Sequence, residues 1–386
     1  MQILKTSILA ATIFFFVSCS KDNDREPVPS TPTDDCAVSG AAVSGQTIPG
    51  QYIVTYKNAE GRSAGTGLRK KRVLEDNLIP TSAIMAEFEG SSSGFVASLN
   101  SDQLVRLKKD PLIEMVEQDR VIALNTCFKV VAPTLVTWNV NKVGYGNGIG
   151  KTAWVVDTGI DFDHPDLTVD AQRSRSFVTD VPSADDENGH GTHVAGIIGA
   201  KNNSFGVLGV ASGATLVSIR VLNAEGKGTL SSIVQALAYI SVNAKAGDVV
   251  NMSLGEEIAS PTLDLHVQNT ASKGILFALA AGNDGKEANL FSPGRTNGEN
   301  IFTVSAVDSL DNFASFSNYG NDVVDYAAPG VRILSTYKDG QYARMSGTSM
   351  AAPHVAGLLL LNGRNLHFST TAKNDPDGIP DRIVSK

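Results

Sequence analysis

Hydrophobic and polar positions divide the chain into two patterned regions that follow a polar leader. Residues 20–47 are rich in Pro, Ser, Thr, Asp and Gly and show no apolar period, as a flexible tether does. Next come short segments rich in β-branched and aromatic residues, at 51–56, 82–89, 94–99 and 113–117, which read as strands. Residues 64–76 predict a basic helix. Residues 102–109 predict a second one, with Asn100 as N-cap, Gln103 at the third helical position and Pro111 as the stop. The order β-α-β-β-α-β is the split, ferredoxin-like arrangement. From about Thr126 the runs lengthen. Strand-like stretches at 151–156, 215–220, 248–252, 275–280 and 301–306 alternate with helical ones at 192–200, 229–244 and 262–273. The predicted fold is α/β, a mostly parallel sheet with helices on both faces, preceded by the small α+β unit.

At 386 residues the chain has room for two or three domains and one large core. Its net charge of −8 gives no reason to expect nucleic acid as a partner. Three cysteines, Cys19, Cys36 and Cys127, exclude a disulfide-dense scaffold and a multi-cysteine zinc module. Lys5 precedes an apolar run from Ile8 to Val17, too short for a stable span and fitting a secretory signal. The resulting division is a signal at 1–18, a tether at 19–47, a small domain at 48–124 and a large domain at 125–386.

Ligands of a parallel sheet sit beyond the carboxyl ends of its strands, and the polar residues of the large domain cluster there. Trp154-Val155-Val156 ends on Asp157, a carboxylate that needs a partner if buried. Glycines flank His190 in Asn188-Gly189-His190-Gly191-Thr192-His193, leaving its ring unobstructed. A metal pair with His193 is the competing idea, but the helical metalloprotease pattern spaces its histidines four apart around a glutamate, and neither holds here. Leu279-Ala280-Ala281-Gly282 runs into Asn283, an amide able to donate to an oxyanion, although Asn before Asp-Gly is also ordinary turn material. Finally, Gly347-Thr348-Ser349-Met350 opens an apolar helix with a serine at its mouth, either a cap or a nucleophile.

Asp157-Thr158-Gly159, His190-Gly191-Thr192-His193 and Gly347-Thr348-Ser349-Met350-Ala351-Ala352-Pro353 resemble the three signatures of the subtilisin-like serine proteases, and their order along the chain is also that family's. The resemblance implies an Asp157–His190–Ser349 triad with Asn283 in the oxyanion hole. It further implies a secreted endopeptidase of broad specificity, acting as a monomer on protein or peptide substrates. Gly226-Lys227-Gly228 and Ser253-Leu254-Gly255 resemble the segments that sandwich substrate as an added strand, with Leu230 lining an outer subsite. Val116-Glu117-Gln118-Asp119-Arg120-Val121 resembles the end of that family's inhibitory propeptide, implying self-cleavage near Leu124 or Asn125. Residues 202–210 resemble its calcium loop, implying structural calcium held by Asp166, the Asn203 side chain and the carbonyls of Lys201, Phe205 and Val207.

Phe16-Val17-Ser18-Cys19 resembles a lipobox, implying lipidation at Cys19 and an outer-membrane or cell-surface location. Cys36 lies before the small domain and Cys127 just past the expected cleavage, so a disulfide between them would keep the tether attached. Asp375-Pro376-Asp377-Gly378-Ile379-Pro380-Asp381 reads as a solvated acidic turn before a short polar end. Two rival readings remain at this level: a catalytically silent, lipid-anchored binding protein on the same fold, and an esterase with the same triad.

Overall fold

The computed structural model describes residues 45–57, 66–124, 127–130 and 136–386. The signal, the lipobox Cys19 and Cys36 lie outside the described residues. The small unit contains β1 (Thr47–Tyr56), α1 (Thr66–Asp76), β2 (Ile84–Phe88), β3 (Gly94–Ser98), α2 (Ser101–Leu107) and β4 (Ile113–Ala123). Asn100 caps α2 in a full capping box with Gln103, as its spacing predicts. Its four strands are antiparallel in the order β4-β1-β3-β2, the ferredoxin-like sheet.

The chain continues through β5 (Cys127–Val130), α3 (Trp138–Val143), β6 (Gly146–Asn147), β7 (Thr152–Asp157) and β8 (Arg175–Ser176) into α4 (His190–Gly199). There follow β9 (Ala211–Ser212), β10 (Thr215–Arg220), β11 (Lys227–Thr229), α5 (Leu230–Asn243), β12 (Val249–Met252), α6 (Pro261–Ala271) and β13 (Leu276–Ala280). The last third adds β14 (Ile301–Val307), β15 (Tyr326–Pro329), the hairpin β16 (Ile333–Tyr337) and β17 (Gln341–Ser346), α7 (Thr348–Asn362), β18 (His367–Thr371) and β19 (Arg382–Ser385).

The main sheet runs β18-β19-β15-β14-β13-β12-β7-β10-β8, and every pair of neighbours within it is parallel except β18 with β19. Alternation along the central strand explains the two helical layers. Ala153 and Val155 of β7 face the core formed with α4 and α7, while Trp154 and Val156 face the core formed with α5 and α6. A strand buried on both faces reads as a continuous apolar run, and this one does.

Two segments depart from expectation. The strand foreseen at 113–117 continues to Ala123, because β11 of the large unit supplies a second partner: Lys227 pairs with Ala123, Gly228 with Ile122 and Thr229 with Val121. The small sheet thus gains its fifth strand from the large unit. At the other end, the acidic turn at 375–381 joins two strands that were not foreseen, β18 before it and β19 in the polar end after it, and Ile383 of β19 pairs with Ala327 of β15. Ile383 and Val384 are fully buried, and Asp381 is buried with Ser305 Oγ donating to it at 2.5 Å. Burial pushes the Asp381 carboxyl up to about 7. Two apolar residues among polar ones are too short a run to reveal a strand; the open edge of β15 selects it.

Candidate active site

Asp157 ends β7 at full burial. Its Oδ1 accepts from the Thr158 backbone N–H and from His190 Nδ1, each at 2.7 Å. His190 is the first residue of α4 and 2% exposed. The approach of α4 to β7 depends on Gly191: a Cβ there would lie 2.1 Å from the Gly159 carbonyl oxygen and 3.0 Å from the Asp157 Cβ. Glycine beside the histidine therefore brings helix and strand close enough for the pair to form.

Ser349 is the second residue of α7, and its Oγ donates to the Ser253 carbonyl at 3.1 Å. In return, Ser253 Oγ donates to the Ser349 carbonyl at 2.7 Å and accepts from Asn251 Nδ2 at 2.8 Å. The Nε2 of His190 is buried without a hydrogen-bond partner. Asn283 holds the N-terminus of α7, its Oδ1 accepting from the Thr348 N–H at 2.7 Å and from Thr348 Oγ1 at 3.0 Å. With Oδ1 so committed, the amide is oriented with Nδ2 as its donor side.

Ser349 and Asn283 line a cavity of about 280 Å³ together with Ser253, Leu254, Gly255 and Leu124. Glu256 also borders it, and burial raises that carboxyl to about 7. Of the two edge segments expected to hold substrate, Gly226-Lys227-Gly228 pairs with the chain's own β4. Leu124 donates its N–H to the Gly226 carbonyl at 2.9 Å, continuing the pairing of Lys227 and Gly228, and Leu230 packs in one cluster with Ile122, Leu124 and Leu254. Beyond the site, β5 pairs antiparallel with β17, Cys127 facing Ser346.

Two anchoring carboxylates escaped the sequence reading. Asp119, fully buried, accepts at 3.0 Å from the Ser231 N–H in the first turn of α5. Glu117 accepts at 3.0 Å from the Thr262 N–H in the first turn of α6 and at 3.0 Å from Ser260 Oγ. A helix N-terminus is a natural seat for an anion. Two acids separated by one residue, at and just past the expected strand end, were the available signal.

Two other histidines, His193 and His354, are buried structural residues. His193 Nε2 donates to the Ile333 and Ala343 carbonyls, both at 3.0 Å, tying α4 to the β16–β17 hairpin. His354 Nδ1 donates to the Met350 carbonyl and its Nε2 accepts from Asn139 Nδ2, both at 2.8 Å. His190 and His193 thus turn to different partners.

In the expected calcium loop, Asp166 is fully buried. Its Oδ2 accepts from the Val207 N–H at 2.9 Å and from Tyr342 Oη at 3.3 Å, while its Oδ1 accepts from Asn203 Nδ2 at 2.7 Å. Burial raises the Asp166 pKa, countered by these donors.

Residues 150–368 match the family of peptidases described as the subtilase family. The chain is 39% identical over 312 residues to alkaline serine exoprotease A of Vibrio alginolyticus, covering 78% of this chain and 56% of that protein. It is 41% identical over 266 residues to a thermostable alkaline protease of Halalkalibacterium halodurans, covering 69% of this chain and 71% of that protein. Among solved structures, a cold-adapted subtilisin-like serine proteinase is similar at a TM-score of 0.57 and 35% identity, over 65% of this chain and 98% of that one. The buried Asp157–His190 pair and the serine at the mouth of α7 are thus carried on a chain that belongs to the subtilase family.

Proposed function

We propose that the protein is a self-processing endopeptidase of broad specificity in which Ser349 is the nucleophile, His190 the general base and then acid, and Asp157 its orienting carboxylate. Asn283 and the Ser349 backbone N–H receive the oxyanion. The observation that carries this reading is how the chain is held before and after its expected cut. Its residues are held as an added strand on β11 as far as Leu124 and are paired again at Cys127 with Ser346, three residues before Ser349. A peptide strand thus has an anchor before and after the expected cut, which favours an endopeptidase over an esterase.

The steps follow from these roles. Turning Ser349 Oγ away from the Ser253 carbonyl lets it give its proton to His190 Nε2 as it attacks the peptide carbonyl. Asp157 holds the Nδ1 tautomer and stabilises the imidazolium that forms. His190 then donates to the leaving amine, and water repeats the cycle on the acyl-enzyme. Residues 48–124 act as the propeptide, seated on α5 and α6 through Asp119 and Glu117 and filling the substrate edge with residues 121–124.

A structural calcium ion belongs to the same reading. The donor types fit: Asp166 brings a buried carboxylate, and turning the Asn203 amide over, at the expense of the bond its Oδ1 accepts from the Phe205 N–H, places an oxygen beside it. The carbonyls of Lys201, Phe205 and Val207 complete the set, and calcium would brace the loop rather than take part in the reaction. Export through residues 1–18, lipidation at Cys19 and a Cys36–Cys127 disulfide complete the proposal. Export and lipidation fall outside the described residues, as does Cys36.

The test is a fluorophosphonate probe combined with casein hydrolysis. Label on Ser349 with hydrolysis that disappears in Ser349→Ala is the expected result. Folded, processed protein that takes no label would remove Ser349 as nucleophile, and label without casein hydrolysis would favour the esterase.

A further inference from the structure

The pairing of Asp157 with His190 brings together two elements that are separate in sequence, and one buried side chain joins them. Asp186 is 7% exposed and accepts five hydrogen bonds. Its Oδ1 receives Thr158 Oγ1 and the N–H groups of Asn188 and Gly189, all at 2.9 Å. Its Oδ2 receives the Thr192 N–H at 2.9 Å and Thr192 Oγ1 at 2.6 Å. Thr158 directly follows Asp157, and Gly189 and Thr192 bracket the first turn of α4. The link is closed by Thr158 Oγ1, which also accepts the Gly191 N–H at 2.9 Å. Among the described residues, Asp186 forms no ion pair, so its charge is balanced by donors alone.

The position matters electrically. His190 is the first residue of α4, where the helix terminus carries partial positive charge. That charge opposes formation of an imidazolium, which the base must become during each acylation. A full negative charge on the same N–H groups offsets it. Asp157 approaches the ring from the strand side; Asp186 acts on the helix that carries it.

Resting on the reading of His190 as the base, we infer that Asp186 is a positioning residue for this reaction. It clamps the turn after Asp157 to the first turn of α4 and cancels the helix-terminal charge at His190. Asparagine at 186 would turn an NH₂ group toward either Thr158 or Thr192, breaking the clamp and removing the charge. Valine at 158 would cut the clamp and leave the charge.

The experiment measures kcat, KM and the pH profile of kcat/KM on a peptide substrate for Asp186→Asn and Thr158→Val, per active site counted by fluorophosphonate titration. Asp186→Asn is expected to lower kcat roughly ten- to a hundredfold with KM little changed, and to move the acid limb down by about half to one pH unit. Thr158→Val is expected to lower kcat with the acid limb unmoved. A kcat per titrated site within twofold of the parent, with an unmoved limb in Asp186→Asn, would overturn the inference. Should Asp186→Asn not fold, Thr158→Val decides through the same kcat criterion. A parent enzyme that takes no label at Ser349 would instead sink the underlying reading of the triad.

Discussion

Cys127 pairs with Ser346 on β17, three residues before Ser349. Because Leu124 is bonded to Gly226 on the other side, only the bonds from 124 to 127 bridge the two anchors. Self-cleavage is therefore expected between Leu124 and Cys127. N-terminal sequencing of active protein should find a first residue between 125 and 127, while Ser349→Ala should accumulate the uncut chain. A mature start elsewhere, or processing in the Ser349→Ala protein purified alone, would contradict the strand register as the guide to cleavage.

Asn283 orients Thr348, and the proposed mechanism gives it a second task as donor to the oxyanion. Asn283→Ala should lower kcat by about 10²- to 10³-fold with KM changed far less, the usual cost of losing one such donor. Steady-state kinetics on a peptide amide checks this. An unchanged kcat would leave Asn283 only its structural bond.

Three buried histidines are expected to make the protein acid-sensitive. Burial lowers His193 to about 3, and His266 and His354 to about 4, from 6.5. A histidine with a lower pKa folded than unfolded takes up a proton on unfolding. Its stabilising contribution is complete above pH 6.5 and falls away as pH drops toward about 4. His266 lies under Phe88 of the small unit, ring centroids 5.2 Å apart. The denaturation midpoint of the Ser349→Ala chain should fall between pH 6.5 and 4, and fall less in a His266→Leu background. A midpoint flat over that range would show that the rings titrate in the folded state.

Calcium, if held by the Asp166 loop, stabilises by mass action. Chelation should lower the melting temperature of the inactive chain by roughly 5 °C or more. Asp166→Asn should remove the response. A chelator without effect on the parent would show that the loop is closed by its own hydrogen bonds.

How much was legible beforehand follows from the range of each interaction. Local patterns sufficed for the α/β class, the ferredoxin-like order, the capping box at Asn100 and each member of the candidate site, because strand ends and glycine-flanked polar residues are written in adjacent positions. The sequence by itself determined which side chains could do chemistry. Only the tertiary structure decided that Asp157 reaches His190, and that β4 runs on to Ala123 against β11. It also decided that residues 382–385 close the edge of the main sheet. Asp119 and Glu117 went unseen because their meaning lies in backbone N–H groups at helix termini that folding brings to them, and Asp186 because its link to the catalytic strand runs through Thr158, 28 residues away. A carboxylate's partner is a property of space, and a single sequence records it only when the partner is also a neighbour.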